Sequence, residues 1–115
     1  EINMEIARTL LEFRNASVDG ACNGQQAVEM FRSSPQNHYD AVLMDVRMPV
    51  MDGIAATQAI RGLDRADAAT VPILAMTANA FAEDIERSRK AGMNEHLAKP
   101  IEPETLYARL ASYFR

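Results

Sequence analysis

Three polar residues are best placed to do chemistry together in this sequence, because each directly follows a segment of strand length. Asp45 follows residues 41–44, Thr77 follows residues 71–76, and Lys99 follows residues 95–98. The carboxyl ends of parallel strands share one edge of a sheet, so a carboxylate, a hydroxyl and an ammonium should converge there. A carboxylate can attack a phosphoryl group, and the other two groups can bind its oxygens. The pattern predicts phosphoryl transfer onto Asp45.

Each of these residues also has a simpler interpretation. Asp45 could be a solvated loop acid or a helix cap, Thr77 the cap of the following helix, and Lys99 a surface lysine. Charged loop residues are usually solvated, so any one of them alone would favour the simpler role. Their shared position after three strands favours the chemical role.

Helical and strand patterns alternate along the chain. Apolar spacing predicts helices over residues 2–13, from Asn23-Gly24 to Ser33-Ser34-Pro35, and over residues 52–61, 82–91 (closed by Gly92) and 103–113. Alternating and continuous apolar runs predict strands over residues 16–22, 41–44 and 71–76, and residues 95–98 are expected to form a further brief strand that Lys99-Pro100 interrupts. This order predicts an α/β domain, with a parallel sheet covered by helices on both faces.

Composition narrows the class of protein. The 115 residues fit one domain, and 48% apolar with 24% charged residues is typical of a globular protein. A net charge of −4 and scattered arginines argue against contact between this chain itself and nucleic acid. No apolar run is long enough to cross a bilayer, so no membrane contact is expected. The single cysteine excludes an internal disulfide and is compatible with the expected cytoplasmic location.

Three stretches of the sequence, residues 42–53, 75–80 and 96–100, are similar to the signature segments of response-regulator receiver domains of two-component signalling. Residues 76–80 and 92–97 most resemble receivers attached to hybrid histidine kinases. The resemblance implies a flavodoxin-like, CheY-like doubly wound parallel sheet, normally five strands in the order 2-1-3-4-5 with five helices. Residues 1–115 are then expected to form one receiver domain that is incomplete at its N-terminus.

In the family, the first strand ends in two adjacent acids. No segment of this sequence matches that strand or those acids. The strand would lie between the predicted strands at residues 16–22 and 41–44. Three explanations stay open: the chain is a fragment, another copy supplies the strand, or the two flanking strands pair directly.

The resemblance also implies roles for individual residues. Asp45 matches the phosphoacceptor, Thr77 the switch hydroxyl and Lys99 the lysine that contacts the phosphoryl group. Arg47 matches the position whose backbone carbonyl joins Asp45 in binding the metal. Lys99 and Pro100 match the family's cis peptide bond, which aims the lysine.

Two further residues have open roles. His96 lies where many relatives carry an aromatic rotamer switch, and its alternative is a half-exposed strand residue whose charge responds to pH. Asp52, followed by Gly53, is expected to cap the third helix, with a direct metal role as the alternative. Mg²⁺ is the cofactor expected of the complete domain, and weak or absent binding is expected in this chain.

The expected function is that of a phosphoacceptor that takes a phosphoryl group from a phosphohistidine and changes conformation. Such a domain would catalyse its own Mg²⁺-dependent phosphorylation and dephosphorylation, although activity of this chain as an enzyme stays open. A histidine kinase or histidine phosphotransfer domain is the implied partner, and a homodimer is compatible with the resemblance. The alternatives are a pseudo-receiver or fragment that acts only in protein interaction, and a flavodoxin-like cofactor binder, for which no phosphate-binding loop is visible.

Overall fold

The computed structural model describes residues 2–14, 17–21, 23–45, 50–77, 82–98 and 102–113. Its helices are α1 (Ile2–Phe13), α2 (Gly24–Ser33), α3 (Gly53–Arg61), α4 (Ala66–Thr70), α5 (Ala82–Ala91) and α6 (Pro103–Ala111). Its strands are β1 (Val42–Asp45), β2 (Ile73–Thr77) and β3 (Glu95–Ala98). No helix in these ranges is both long enough and apolar enough to span a membrane.

The three strands form a parallel sheet in the order β1-β2-β3. Val42 pairs with Ile73 at the beginning of β1, and Asp45 pairs with Met76 at its end. The alternation of helices and strands predicted an α/β domain with a parallel sheet, and this prediction is confirmed.

Alternate residues of β2 divide the core into two layers, because successive side chains of a strand point to opposite faces. Ile73 and Ala75 belong to a cluster that includes residues of α2, α3 and α5, whereas Leu74 and Met76 belong to a cluster with α1 and α6. All four residues are fully buried. A strand buried on both faces explains the continuous apolar run in this part of the sequence.

The strand predicted over residues 16–22 is wrong for the part that the structure describes, since residues 17–21 form no strand. A strand needs a backbone neighbour, and among the described residues β1 pairs with β2 alone. Side chains hold the segment instead. The Tyr39 hydroxyl donates to Asp19 at 2.9 Å, and Arg8 donates to the Val18 carbonyl at 3.3 Å. Direct pairing of the two flanking strands is therefore not what these residues show.

Two arginine side chains hold together the segments at the amino ends of the strands. No periodic pattern in the sequence predicts this role for them. Arg65 donates to both oxygens of Asp67, at 2.6 and 2.8 Å, and to the carbonyls of Phe31 and Ser34, both at 2.9 Å. Asp67 also accepts the Asn37 N–H at 2.8 Å. This hydrogen-bonded group, the Arg65–Asp67 network, joins the end of α2 to the start of α4.

The second arginine, Arg61 at the end of α3, holds the turn between α5 and β3. It donates to the Gly92 carbonyl at 2.7 Å and to the Asn94 side chain at 2.9 Å. The Asn94 side-chain oxygen also accepts the Ile73 N–H at 2.8 Å, at the start of β2. Gly92 has a φ of 112°, so the prediction that it closes this helix is confirmed.

Candidate functional site

Asp45 is the last residue of β1 and lies at the carboxyl edge of the sheet. It is 3% exposed, so its carboxyl group is almost entirely removed from water. Burial of a carboxyl group is costly unless other groups hold it, and for that reason it is uncommon outside functional or paired sites. The position predicted for the nucleophile is therefore a buried site at the sheet edge rather than a solvated loop.

The register of the sheet brings the other two predicted positions to the same edge. Thr77 ends β2, one residue beyond the partner of Asp45, and pairs with Ala98 at the end of β3. Lys99 is the next residue in the sequence. The side chain of Thr77 lies outside the description, as do Lys99 and the predictions made for Arg47 and for a cis bond at Pro100.

The helix that follows Asp45 begins against its backbone. Gly53, the first residue of α3, approaches so closely that a Cβ there would overlap the Asp45 carbonyl oxygen. Just before it, the Asp52 carboxylate accepts the Ala55 N–H at 2.8 Å. The predicted capping role of Asp52 is confirmed, and the cap fixes where α3 starts relative to Asp45.

The N-terminus of α2 contacts Met51 and Asp52, just before α3. The sequence analysis did not predict this contact. Gly24 donates its N–H to the Met51 carbonyl at 3.1 Å, and a Cβ on Gly24 would overlap that oxygen. Val50, the neighbour of Met51, is 76% exposed and has a φ of 67°, which is unusual for a β-branched residue. The signal that could have revealed this contact is the Asn-Gly pair at the start of α2, which parallels the Asp-Gly pair at the start of α3.

His96 lies in β3 and pairs with Ala75 of β2. Its Nε2 is buried and has no hydrogen-bond partner among the described residues. Burial lowers the pKa of His96, and the positive charge of Arg89 lowers it further, while Glu95 acts in the opposite direction. These surroundings together favour the uncharged form of the imidazole. Its predicted role as a rotamer switch stays a prediction.

The described residues do not complete a metal site. They contain no group of three or more histidine, cysteine, aspartate or glutamate side chains that could hold a metal ion. Asp45 offers one carboxylate at the sheet edge, and the Asp52 carboxylate is engaged in its cap. Mg²⁺ requires near-octahedral oxygen ligation, so these residues alone fall short of the set it needs.

Comparison with known families gives one match over nearly the whole chain. The model of the response regulator receiver domain matches residues 1–111. Among curated proteins, hybrid signal transduction histidine kinase I of Dictyostelium discoideum is 35% identical over 92% of this chain. The signal transduction histidine-protein kinase BarA of Escherichia coli K12 is 40% identical over 96% of it. The chain spans 6% of the first protein and 12% of the second.

Solved structures agree with the fold. The receiver domain of a sensor histidine kinase from Pseudomonas aeruginosa PAO1, with a magnesium ion coordinated in its active site cleft, is 38% identical. It superposes with a TM-score of 0.86, over 97% of this chain and 88% of that one. The chemotaxis protein CheY4 of Vibrio cholerae is 26% identical with a TM-score of 0.85, over 96% of this chain and 88% of its own. The predicted CheY-like fold is confirmed, with three strands in the part of the chain described.

Proposed function

This chain belongs to the response regulator receiver domain family, and we propose that it is the phosphoacceptor of a phosphorelay, with Asp45 carrying the phosphoryl group. The observation that carries the proposal is the position of Asp45. It is buried at the carboxyl edge of the sheet, and the strand register places Thr77 and the residue before Lys99 at that same edge. In open parallel sheets this edge is where ligands bind.

The chemistry is a displacement at phosphorus. A carboxylate oxygen of Asp45 attacks the phosphorus of a phosphohistidine, a P–O bond forms, the P–N bond breaks, and the imidazole leaves and takes up a proton. The burial of Asp45 excludes bulk water from the attacking oxygen and strengthens electrostatic contacts to the incoming group. Lys99 and the Thr77 hydroxyl are assigned to the phosphoryl oxygens, Lys99 as the countercharge and Thr77 as a hydrogen-bond donor.

The donor in this proposal is a histidine kinase, the class that the names of the relatives print, or a histidine phosphotransfer domain. This choice is supported by the similarity to receivers of hybrid histidine kinases, in whose chains the matched region is a small fraction. A cytoplasmic location and a homodimer belong to the same proposal. Phosphorylation adds close to two negative charges at Asp45, enough to change the packing of the neighbouring loops.

Magnesium is the cofactor suggested by the Pseudomonas aeruginosa receiver. In this chain we assign it Asp45 and the backbone carbonyl of Arg47. With a single carboxylate from the described residues, we expect weak binding, because each anionic ligand lost removes a large attraction for a divalent cation. Titration of Mg²⁺, followed by NMR shifts around Asp45, should give a weak affinity that Asp45→Asn reduces further.

The test of the function is chemical labelling. The protein is incubated with acetyl phosphate and followed by intact mass, and we expect one phosphoryl group per chain, removed by hydroxylamine as an acyl phosphate would be. Asp45→Asn should take up none. Asp40→Asn is the matched control, because Asp40 is an exposed acid just before the other end of the same strand. Label that persists in Asp45→Asn would overturn the assignment.

The second candidate function is a protein-interaction module that never accepts phosphate. The incomplete metal site among the described residues is the observation that favours it. A folded wild-type chain that takes no label from acetyl phosphate, with or without Mg²⁺, would decide for this alternative.

A further inference from the structure

Gly24 lies on a helix that carries none of the residues assigned to phosphoryl transfer. It nevertheless contacts the loop that follows Asp45. Its N–H donates to the Met51 carbonyl at 3.1 Å, and a Cβ placed on it would overlap that oxygen and lie 3.1 Å from the Asp52 carbonyl oxygen. Any residue other than glycine would therefore displace the loop or the helix.

The contact continues to Asp45 through the start of α3. Asp52 caps this helix, and Gly53 lies against the Asp45 carbonyl with no room for a Cβ. The chain thus has two close backbone approaches in series, from Gly24 to Met51 and from Gly53 to Asp45. The two glycines thus link α2 to Met51, and the start of α3 to Asp45.

The backbone of Val50, next to Met51, has a conformation that valine does not favour. A β-branched residue rarely adopts a positive φ, and an exposed side chain gains little packing in return. Such a conformation persists only where the surroundings determine it. The adjacent Met51 carbonyl, bonded to Gly24, is one of the groups that do so.

We propose that Gly24 is a positioning residue for the phosphoacceptor site: it sets the loop after Asp45, and through Gly53 the backbone of Asp45 itself. The proposal rests on the assignment of Asp45 as the phosphoacceptor. Gly24 touches no reacting atom, and its effect is on the geometry from which Asp45 attacks.

The experiment compares two glycine-to-alanine variants. Gly24→Ala should lower the maximal rate of labelling by acetyl phosphate on the order of ten-fold, since small misplacements of reacting groups have effects of this size. The donor concentration for half-maximal rate should stay unchanged. Gly62→Ala is the matched control: its N–H also bonds a carbonyl, Gln58 at 3.0 Å, but an added Cβ would have an ordinary 3.4 Å contact. It should label like the wild type.

A rescue separates positioning from a general loss of structure. Glycine at residue 50 removes the penalty of the positive φ and lets the Met51 carbonyl move, so Val50→Gly added to Gly24→Ala should restore much of the rate. Circular dichroism confirms that each variant is folded. A folded Gly24→Ala protein with the wild-type rate would overturn the proposal, as would a rate that Val50→Gly leaves low.

If Gly24→Ala does not fold, the positioning role of Gly24 can be tested in a protein that keeps this glycine. In Asp45→Asn, the backbone amide resonance of Gly24 should shift relative to the wild type, whereas that of Gly62 should not. A Gly24 resonance that stays in place overturns the positioning role. This outcome is independent of labelling, so a wild-type chain without label contradicts the proposed function alone.

Discussion

The two ends of the sheet are held by different means. At the amino end, arginine side chains reach across the structure: Arg65 bonds Asp67 and carbonyls of α2, and Arg61 bonds the turn before β3. At the carboxyl end, where Asp45 lies, the contacts that join different elements are close backbone approaches at Gly24 and Gly53, and the Asp52 side chain caps α3 locally. Long-range charged hydrogen bonds hold the first end, and close backbone packing with a local helix cap holds the second.

This difference separates stability from function. An end braced by ionic hydrogen bonds resists rearrangement, because each bond lost leaves a buried polar group without a partner. An end held by backbone packing can shift when a loop changes conformation. Substitutions at the amino end should therefore change the free energy of unfolding, and those at the carboxyl end should change the behaviour of the site.

The largest effect on stability is expected from Arg65→Ala. The side chains of Arg65 and Asp67 are 14% and 5% exposed, so the variant leaves a buried carboxylate without its cationic partner and removes the donor from the Phe31 and Ser34 carbonyls. Tm should fall by on the order of 10 °C. Arg32→Ala, which removes an exposed ion pair with Glu29, is the matched control and should leave Tm nearly unchanged. Equal effects of the two variants would contradict the contrast between the ends.

Acid should weaken the same end next. The hydrogen bonds from Arg65 lower the pKa of Asp67 from 3.8 to about 2, and the Asn37 N–H adds to this. A carboxylate whose pKa is lower in the folded protein stabilises it fully above its unfolded pKa. This stabilisation is lost as the pH falls from about 4 to about 2. Thermal unfolding across this range should show a fall in Tm that is reduced in Asp67→Asn and retained in Asp64→Asn.

At the carboxyl end, Asp52→Ala should have a smaller effect on stability. It removes the cap of α3 and should cost about 1 kcal/mol, measured by urea unfolding. Asn23→Ala, which removes the corresponding cap of α2, should cost a similar amount. Labelling at Asp45 should slow in Asp52→Ala because α3 starts next to the Asp45 carbonyl. A cost well above that of Asn23→Ala would point to a further role for Asp52.

The smallest expected effect concerns His96. Because burial holds its pKa below 6.5 in the folded protein, the unfolded chain binds more protons as the pH falls below that value. Stability should therefore decline slightly as the pH falls through about 6.5, where an unfolded histidine titrates. His96→Phe should remove this part of the decline, while His38→Phe should retain it. A wild-type Tm that does not change over this pH range would mean that the pKa of His96 is the same in the folded and unfolded protein.

Much of the fold could be predicted from the sequence because its signals are local. Periodic apolar residues predicted α1, α2, α3, α5 and α6, and strand-length apolar runs predicted β1 and β2. The brief strand β3 was also predicted, although its residues form no apolar run. The cap at Asp52 was likewise predictable from an acid followed by glycine at a helix start. The position of Asp45 at the sheet edge followed from the strand that precedes it.

What could not be predicted depends on partners distant in the sequence. The strand expected over residues 16–22 has an alternating pattern, but a strand forms only with a backbone neighbour. Helix α4 has five residues, too few for a periodic signal. The bonds from Arg65 to Phe31 and from Gly24 to Met51 join residues about thirty positions apart. The Asn-Gly pair marks the start of α2, but no local pattern identifies the distant residue that either bond reaches.

The outer edge of β1 has a practical consequence. In the ranges that the structure describes, this strand has a neighbour on one side only, and Val42 and Leu43 are partly exposed. A free strand edge can add a strand from a second molecule, which is a common beginning of aggregation. Protein concentration should therefore be controlled in experiments on this chain, because association through this edge would increase with it. Solutions kept dilute and monitored by light scattering should preserve the single-molecule behaviour that unfolding and labelling measurements assume.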